Sequence, residues 1–376
     1  MTRWAWAEVS AAAIEHNVRV LAQDVTSAWP VQVWAVVKAN GYGHGALTAA
    51  RAAVAGGASG LCVALVSEAA QLRAAGIDAP ILVLTEQPHD DLPDAVRLGL
   101  RLAVYRPEYL AAIAAAGGTD VPVHLKLDTG MQRVGARPDD AVAMADAITA
   151  SPATVLEGVF THLAAADEPD HPSNREQLDR FDAALDALSA AGHRPTLVHA
   201  ANSAGAIVYP RARYSMVRPG IAVYGISPGP EVDATVAELG LQPALSLRAR
   251  VSFVKRVTGG SRISYGLRHT FSRDTTVATV PIGYADGVPR RLFSMGGEVL
   301  LGGVRRRIVG VVTMDQLMVD CGDDHVEVGD EVVLIGSQGQ HHVTASEWGE
   351  LLGTIGYEVV CAISSRVERR PVRTAL

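Results

Sequence analysis

The chain of 376 residues carries a net charge of −7 at pH 7 and is 48% hydrophobic and 19% charged, which is typical of a globular protein with room for two domains. No apolar run approaches the roughly 18 residues that a membrane-spanning helix needs, and the acidic balance argues against a nucleic-acid partner, so we expect a small-molecule substrate. The three cysteines lie far apart, which predicts neither a disulfide framework nor a zinc site. The first residues include Glu8 and Glu15 and lack a continuous apolar stretch, so we expect a cytoplasmic protein without an export signal.

Between residues 31 and about 225 the sequence repeats one pattern, a short apolar run ending in polar residues and then an alanine- and leucine-rich helical stretch. Runs that are apolar on both faces and alternate with helices are typical of a parallel sheet covered by helices. Eight such runs favour a closed (β/α)8 barrel of the TIM type over an open sheet. The runs cover residues 31–38, 61–68, 81–86, 101–106, 121–128, 155–163, 196–203 and 214–220.

After about residue 240 the pattern changes to β-branched runs separated by Gly-Gly and Gly-Asp pairs, which predicts a mainly β domain. One helix is expected near residues 345–354, capped by Thr344 or Ser346. Segment 228–240, with proline, glycine and acidic residues, is the expected linker. The sequence therefore predicts an α/β fold, with a (β/α)8 barrel over residues 10–235 and a mainly β C-terminal domain over residues 236–376.

Polar side chains recur at the C-terminal ends of the predicted barrel strands. In a barrel these ends share one mouth, where active sites lie, so we expect the set to converge there. For any single member the alternative is a strand end that is polar only because the chain leaves the core. The set comprises Lys38, Glu68, Glu86, Arg106, Lys126, Asp128, His162, Asn202, Ser203 and Arg218.

Lysine is rare in this chain, since only Lys38, Lys126 and Lys255 occur among 33 basic residues. Unlike arginine, lysine loses its proton readily enough to act as an amine nucleophile. Lys38 ends the first barrel strand, before a turn with three glycines, and burial there would lower its pKa and let it attack a carbonyl. Biased codon use would explain the low lysine count equally well, and a snorkelling or ion-paired lysine is the alternative at this position.

Nine short motifs, in order along almost the whole chain, resemble those of the alanine racemase family of pyridoxal-phosphate enzymes. The motifs are AVVKANGYGHG (35–45), KLDTGMQRVG (126–135), THLAAAD (161–167), HAANSAG (199–205), VRPGIAVYG (217–225), ISYG (263–266), PIGYADG (281–287), TMDQ (313–316) and GYE (356–358). The resemblance implies the cofactor pyridoxal 5′-phosphate, interconversion of L-alanine and D-alanine, and a supply of D-alanine for peptidoglycan. It also implies a homodimer with shared active sites and a first strand near residues 2–9 that packs with the C-terminal domain.

The resemblance assigns the two catalytic bases to Lys38 and Tyr265. Lys38 would hold the cofactor and then act on one face of Cα of the substrate aldimine, while Tyr265 acts on the other. Inversion needs two groups because the proton must leave one face and return to the opposite one. A phenol with a pKa near 10 also needs a cationic neighbour, and His162, backed by Arg218, is the matching candidate. Without its motif, Tyr265 would be expected to pack on a β-surface.

The remaining implied roles concern cofactor and substrate. Arg218 matches the family residue facing the pyridine nitrogen, where an arginine that keeps its proton leaves that nitrogen unprotonated. Arg133 matches the residue that contacts the substrate carboxylate, and Lys126 matches a lysine that carries a carbamate in some members and would hold Arg133. Cofactor ligands are implied at Lys38, Tyr42, His162, Ser203, Arg218, Gly220, Ile221 and Tyr357, and substrate contacts at Arg133, Met314 and Asp315.

Val311 departs from the family pattern, because many members carry arginine three positions before the pocket methionine. Arg290 matches another residue of the access corridor and would steer a zwitterion.

Two alternatives to alanine racemisation remain, a broad-specificity amino-acid racemase and a non-catalytic cofactor-binding protein built from the barrel alone. No metal is expected, because no metal-ligand spacing occurs among His44, His124, His171, His199 and His325, which are expected to be structural.

Overall fold

The structure, a computed structural model, describes residues 4–25 and 30–372, which form two compact units. The barrel unit holds the described residues within Ile14–Gly41 and Ala46–Leu241, and the β-unit holds those within Met1–Ala13, Tyr42–Gly45 and Gln242–Leu376. Among the described residues no helix is long and apolar enough to cross a membrane.

Among its described residues the barrel unit contains eight parallel strands, in agreement with the eight predicted runs. They are β2 (Gln32–Val36), β3 (Gly60–Val63), β4 (Ile81–Val83), β5 (Arg101–Val104), β6 (Val121–Lys126), β7 (Thr154–Phe160), β8 (Leu197–His199) and β9 (Met216–Val217). The strands pair in the order β8-β7-β6-β5-β4-β3-β2-β9. Hydrogen bonds from Ser215 N to Val198 O (3.1 Å) and from Arg218 N to Ala201 O (3.0 Å) join β9 to β8, so the sheet is nearly closed into a barrel.

Helices follow most of the barrel strands, as the alternating sequence pattern predicts. They are α1 (Ala11–Val25), α2 (Lys38–Tyr42), α3 (Ala46–Ala55), α4 (Val66–Ala74), α5 (Leu92–Arg97), α6 (Pro107–Ala115), α7 (Ala141–Ala150), α8 (Pro172–Ala190), α9 (Ser203–Val208) and α10 (Asp233–Leu239). Helix α10 falls within segment 228–240, so the expected linker is partly helical. Its C-terminal Gly240 carbonyl oxygen lies 3.0 Å from His16 Nε2, which ties this segment to α1.

Two strand glycines make room for large rings in the barrel. A Cβ atom at Gly60 would lie 2.5 Å from the Trp34 ring, and one at Gly158 would lie 2.5 Å from His124 Nδ1. Real Cβ atoms do not approach other atoms so closely, and protein interiors are too densely packed to absorb the overlap. Glycine at positions 60 and 158 is therefore part of how these rings fit the barrel.

The β-unit contains three sheets among its described residues. Its strands are β1 (Ala5–Ser10), β10 (Leu245–Arg250), β11 (Phe253–Val257), β12 (Arg262–Ile263), β13 (His269–Thr270), β14 (Thr275–Val280), β15 (Glu298–Leu301), β16 (Val304–Arg307), β17 (Leu317–Gly322), β18 (Glu331–Gln338), β19 (His341–Val343) and β20 (Glu368–Val372). The largest sheet has the order β16-β15-β18-β10-β1-β20, with β19 paired to β18, and the other two are β11-β14-β17 and β12-β13.

The first strand lies inside the largest sheet, next to its edge strand β20. Strand β1 pairs antiparallel with β10 and parallel with β20, so Ala7 lies opposite both Leu247 and Arg369. The resemblance places this strand near residues 2–9, of which residues 2 and 3 lie outside the described part of the chain.

In the described part of the β-unit two α-helices lie near the C-terminal end, α11 (Ala345–Leu352) and α12 (Gly356–Cys361). The Thr344 hydroxyl accepts a hydrogen bond from Glu347 N (3.0 Å), and Gly353 ends α11 in the left-handed conformation with φ 69°. The structure therefore confirms the predicted helix and selects Thr344 over Ser346 as its cap. Sequence reasoning did not identify α12, which carries Tyr357.

Candidate active site

Three predicted site residues converge on one small cavity in the barrel unit. Lys126 is the last residue of β6, Arg133 lies in the loop that follows, and His162 comes just after β7. The other lining residues are Leu127, Asp128, Met131, Val134 and Thr161. Of the strand-end set, Lys126, Asp128 and His162 therefore line the same cavity.

Lys38 begins α2, which is a left-handed helical turn. Ala39, Asn40 and Gly41 have φ angles of 51°, 53° and 62°. Left-handed backbone costs roughly 1–2 kcal/mol for each residue that carries a Cβ atom, so the fold must hold this turn in place. Hydrogen bonds do so on both sides, from Ala39 N to Glu68 Oε1 (2.6 Å) and from Ala46 N to Asn40 Oδ1 (2.9 Å).

Glu68 fixes the Lys38 turn to the end of the neighbouring strand β3. Its carboxylate also accepts hydrogen bonds from Ala64 N (2.8 Å) and Leu65 N (3.1 Å), which precede helix α4. Hydrogen bonds to a carboxylate are stronger than neutral ones, so three of them make a rigid junction. Glu68 therefore fixes the backbone that carries the half-buried Lys38 side chain. The sequence predicted for Glu68 no role beyond that of a polar group at a strand end.

Positive charge is concentrated around the cavity. Burial, and then the guanidinium groups of Arg133 and Arg218, lower the pKa of Lys126 to about 8, and the Lys38 ammonium adds to this effect. Such a pKa leaves roughly a tenth of the Lys126 amine neutral at pH 7. The site is therefore suited to an anionic ligand, and one of its lysines is available as a neutral nucleophile.

Arg218 is buried in the barrel and makes several hydrogen bonds. Its Nη2 donates to Thr161 O (2.8 Å) and Ala200 O (3.1 Å), and its Nη1 donates to His199 Nδ1. Burial lowers the pKa of Arg218 to about 10, so the guanidinium stays charged at neutral pH. An arginine has five N–H donors, more than these contacts use, which leaves donor capacity for a ligand.

His162 is not the cationic group that the sequence suggested. Burial, followed by the positive charges of Arg218 and Arg133, lowers the pKa of His162 well below its usual value. Arg218 Nη2 lies 3.5 Å from His162 Nδ1, so the expected proximity of these two side chains is present. The imidazole is neutral because a dry environment and four neighbouring cations disfavour a further positive charge.

The residues predicted to bind phosphate in the barrel unit form one compact turn. The buried Ser203 hydroxyl begins α9 and accepts hydrogen bonds from Gly220 N (2.8 Å) and Ala222 N (3.3 Å). Gly220 and Ile221 follow β9 after Arg218 and Pro219, and both are buried, as is Ser203. The structure therefore brings together these three predicted ligands, with the serine oxygen bound to the glycine turn.

The two predicted tyrosine ligands lie together in the β-unit. The ring centroids of Tyr42 and Tyr357 are 6.2 Å apart, with an angle of 51° between the ring planes. Their neighbouring backbones are also in contact, because a Cβ atom at Gly43 would lie 2.1 Å from Val360 O. Only glycine allows this approach between the Tyr42 segment and helix α12.

Tyr265, Met314 and Asp315 are also in the β-unit and lie at its surface. Tyr265 is 71% exposed and Met314 is 52% exposed. Asp315 Oδ1 accepts a hydrogen bond from Arg366 Nη2 (2.5 Å), and Arg366 also lies 3.4 Å from the buried carboxylate of Asp286. Sequence reasoning did not identify Arg366, which holds Asp315 in place and carries no motif of its own.

At position 311, where many family members carry arginine, this chain has a buried valine that accepts a hydrogen bond through its backbone. Val311 is fully buried, and its carbonyl oxygen accepts a hydrogen bond from the Ser264 hydroxyl (2.7 Å). The segment before Tyr265 is therefore joined to the segment before Met314. Arg290 is exposed in the β-unit, where it can still attract an anionic ligand.

Among the described residues, no group of three or more His, Cys, Asp or Glu side chains could hold a metal ion. The functional groups present are amines, guanidinium groups, hydroxyls and a neutral imidazole. This donor set suits a small ligand with negative charge and a reactive carbonyl, since an amine attacks a carbonyl and the cations bind the anionic part.

Comparison with known proteins agrees with this arrangement over both units. The family models described as "Alanine racemase, N-terminal domain" and "Alanine racemase, C-terminal domain" match residues 9–228 and 244–371. An alanine racemase of Symbiobacterium thermophilum is 49% identical over 97% of this chain and 96% of its own, and one of Thermobifida fusca is 44% identical over 98% of both chains.

Solved structures are similar over the same extent. The crystal structure of alanine racemase from D-cycloserine-producing Streptomyces lavendulae matches with a TM-score of 0.93 and 40% identity, over 99% of this chain and 98% of that one. Alanine racemase from Bacillus anthracis with bound L-Ala-P matches with a TM-score of 0.92 and 40% identity, over 99% and 96% of the two chains. Because the C-terminal domain is matched as well, the alternative of a barrel-only cofactor-binding protein is removed. The chain is a racemase that belongs to the alanine racemase family.

Proposed function

We propose that the protein interconverts L-alanine and D-alanine with pyridoxal 5′-phosphate held through Lys38, and that it thereby supplies D-alanine for peptidoglycan. The observation that carries the proposal is that the barrel unit holds three groups suited to this cofactor. They are Lys38 on a rigid left-handed turn, the buried guanidinium of Arg218, and Ser203 bonded to the turn at Gly220. The cytoplasmic location remains a prediction from the sequence.

The residues present fit this cofactor. Arg218 has spare donors for a pyridine nitrogen, which is an acceptor when unprotonated. The Ser203 hydroxyl, whose oxygen accepts from Gly220 N, lies close to the backbone of Gly220 and Ile221, and barrel phosphates often lie where the last two strands end. Tyr42 and Tyr357 place two phenols side by side. When bound, the cofactor stabilises the negative charge that develops on Cα after a proton leaves.

Two residues of the chain move the proton. The Lys38 amine takes it from Cα on one face, and the Tyr265 phenol serves the opposite face, so that the configuration inverts. His162 and Arg218, which contact each other, supply the electrostatic environment, with Arg218 as the charged member and His162 as a neutral hydrogen-bonding group.

We also propose a homodimer in which Tyr265, Met314 and Asp315 of one chain close the active site of the other. Their segments form one surface, since Ser264 bonds to Val311 O and Tyr284 N donates to Thr313 O (3.0 Å). Large side chains exposed together, such as Tyr265, Tyr284 and Met314, mark surfaces that bind another protein. A partner chain would shield them from water.

Substrate recognition rests on Arg133 and Lys126. Both line the same cavity, and the positive charge of Arg133 lowers the pKa of Lys126. A neutral Lys126 amine can attack carbon dioxide, forming an N–C bond and releasing a proton, and the resulting carbamate anion would hold Arg133 by charge-assisted hydrogen bonds. Arg133 would then present its guanidinium to the substrate carboxylate.

The direct test is the optical rotation of L-alanine and, separately, of D-alanine incubated with the pure protein. We expect both to decay to zero. Persistent rotation of either enantiomer would contradict the proposal. Turnover of lysine or arginine at a rate comparable with that of alanine would indicate a broad-specificity racemase instead. An alanine racemase should turn over these longer amino acids slowly, because a pocket that discriminates by size favours a methyl side chain.

A further inference from the structure

A continuous chain of hydrogen-bonded side chains leads from Arg218 into the barrel interior. Arg218 Nη1 contacts His199 Nδ1, and His199 Nε2 lies 2.8 Å from His124 Nδ1. His124 Nε2 lies 3.0 Å from Glu157 Oε2, and Glu157 is ion-paired with Arg101 (3.0 Å). The chain therefore joins a predicted cofactor-binding arginine to a carboxylate on β7.

Packing holds the imidazole rings of His199 and His124 in place. The His199 ring stacks on Phe160 with centroids 4.7 Å apart, and the His124 ring meets the His199 ring edge-on at 5.0 Å. The glycine at position 158 makes the space that His124 occupies. Both histidines are fully buried, so water cannot replace their partners.

The chemistry of the two ends fixes the position of every proton between them. Arginine can only donate, so the His199 nitrogen facing Arg218 must be an acceptor, and the proton of a neutral His199 is on Nε2. That proton points at His124 Nδ1, which must accept, so His124 carries its proton on Nε2. An ionised Glu157 can only accept, and it receives that last proton.

We propose that His199, His124 and Glu157 are positioning residues that hold Arg218, through a one-way series of hydrogen bonds, in the orientation in which it meets the pyridine nitrogen of the cofactor. The inference rests on the proposed cofactor role of Arg218. The series also connects the buried Arg218 guanidinium to the Glu157 carboxylate. Within the described residues Arg218 forms no direct ion pair with a carboxylate.

The protonation states agree with this direction. Burial lowers the pKa of both His199 and His124, so the two imidazoles are neutral and each carries one proton. Burial alone would raise the pKa of Glu157, but its hydrogen bond to His124 and the positive charge of Arg101 lower it, so the carboxyl group is ionised. A charged histidine in the series would place two donors against each other.

Neutron diffraction from crystals of the holoenzyme in deuterated buffer tests the series directly. We expect deuterium on Nε2 of His199 and of His124 and none on either Nδ1. Deuterium on His199 Nδ1 would overturn the inference. This result is independent of activity, so it separates failure of the inference from failure of the proposed racemase function.

Two substitutions at Glu157 test what the series does. Glu157→Leu removes the final acceptor, and we expect a shifted absorption band of the bound cofactor and a kcat lower by about tenfold with KM unchanged, because Arg218 acts on the charge that develops during reaction. Glu157→Gln keeps a carbonyl oxygen as acceptor for His124, and we expect it to restore the band and kcat to within about twofold. An unchanged band and kcat in Glu157→Leu would overturn the inference.

Asp24→Asn is the matched control. Asp24 forms a comparable ion pair in the barrel unit, with Arg213 at 2.7 Å, and its side chain is 30% exposed compared with 21% for Glu157. The change should lower stability without moving the absorption band. If Asp24→Asn and Glu157→Leu shift the band equally, the effect is general destabilisation and the inference is wrong.

Discussion

The barrel cavity and the Tyr265 surface of the β-unit are constructed differently. In the barrel unit, Arg218 and Ser203 are buried and held by hydrogen bonds from several elements. Tyr265 is 71% exposed, and its position is set mainly by backbone geometry, with Ser264 at φ 63° and bonded to Val311 O. The comparison separates a buried, hydrogen-bonded half of the proposed site from an exposed half, which in the proposed dimer a partner chain would cover.

Removing the reactive group of the barrel half should have the largest effect. Lys38→Ala removes the proposed covalent link to the cofactor and one proposed proton-transfer group, so we expect racemisation to fall by at least about 10³-fold. Lys255→Ala is the control, because Lys255 is an exposed lysine on β11. Racemisation rates of both variants, measured with saturating cofactor, decide the matter, and substantial activity in Lys38→Ala would contradict its role.

Removing the reactive group of the exposed half should abolish inversion but not all chemistry at Cα. In Tyr265→Phe the Lys38 amine remains, so we expect exchange of the Cα hydrogen of one enantiomer with D₂O and retention of its configuration. Racemisation should fall by about 10²–10⁴-fold. Proton NMR of alanine in D₂O measures exchange, and chiral chromatography measures inversion. Full racemisation by this variant would show that Tyr265 is not the second base.

Acid should destabilise the barrel half through its buried histidines. Burial lowers the folded-state pKa of His124 and His199, so the unfolded chain binds more protons once the pH falls below about 6.5. Stability is therefore full above that pH, and each histidine should cost about 1.4 kcal/mol per pH unit below it, until its folded-state pKa is reached. Urea unfolding between pH 7.5 and pH 5 checks the slope. His124→Gln should make it shallower, and an unchanged slope would contradict the burial argument.

The smallest predicted effect concerns the carbamate. Because burial and Arg133 lower the pKa of Lys126 to about 8, its reactive neutral form increases as the pH rises toward that value. At constant dissolved ¹³CO₂ we expect a carbamate resonance that grows from pH 6.5 to 8 and is absent in Lys126→Ala. That variant should raise KM for alanine about fivefold, the equivalent of about 1 kcal/mol. The absence of a resonance at pH 8 would mean that Lys126 stays unmodified.

Much of the barrel was predictable because its signal is local. Runs such as residues 121–128 are apolar on both faces and end in polar residues, and all eight became strands of the parallel sheet. Helix α10 was missed, since its proline- and acid-containing segment looked like a linker. The left-handed turn after Lys38 depends on a distant acceptor, Glu68, which sequence spacing does not reveal.

The site residues divide in the same way. Family motifs predict roles for Arg218 and Ser203, whereas the hydrogen bond between His199 and His124 depends on how the strands are arranged around the barrel. The charge of His162 was predicted wrongly, because burial and cations contributed by other segments, and not its own motif, lower its pKa.

Mixing two inactive chains is the most direct test of the claim that Lys38 and Tyr265 serve one site from different chains. Lys38→Ala and Tyr265→Phe proteins, allowed to exchange subunits, should form mixed dimers with one intact site and one site that carries both changes. We predict that racemase activity returns in proportion to the fraction of mixed dimer. Native mass spectrometry of the same sample measures that fraction. No recovery despite abundant mixed dimer would contradict the account.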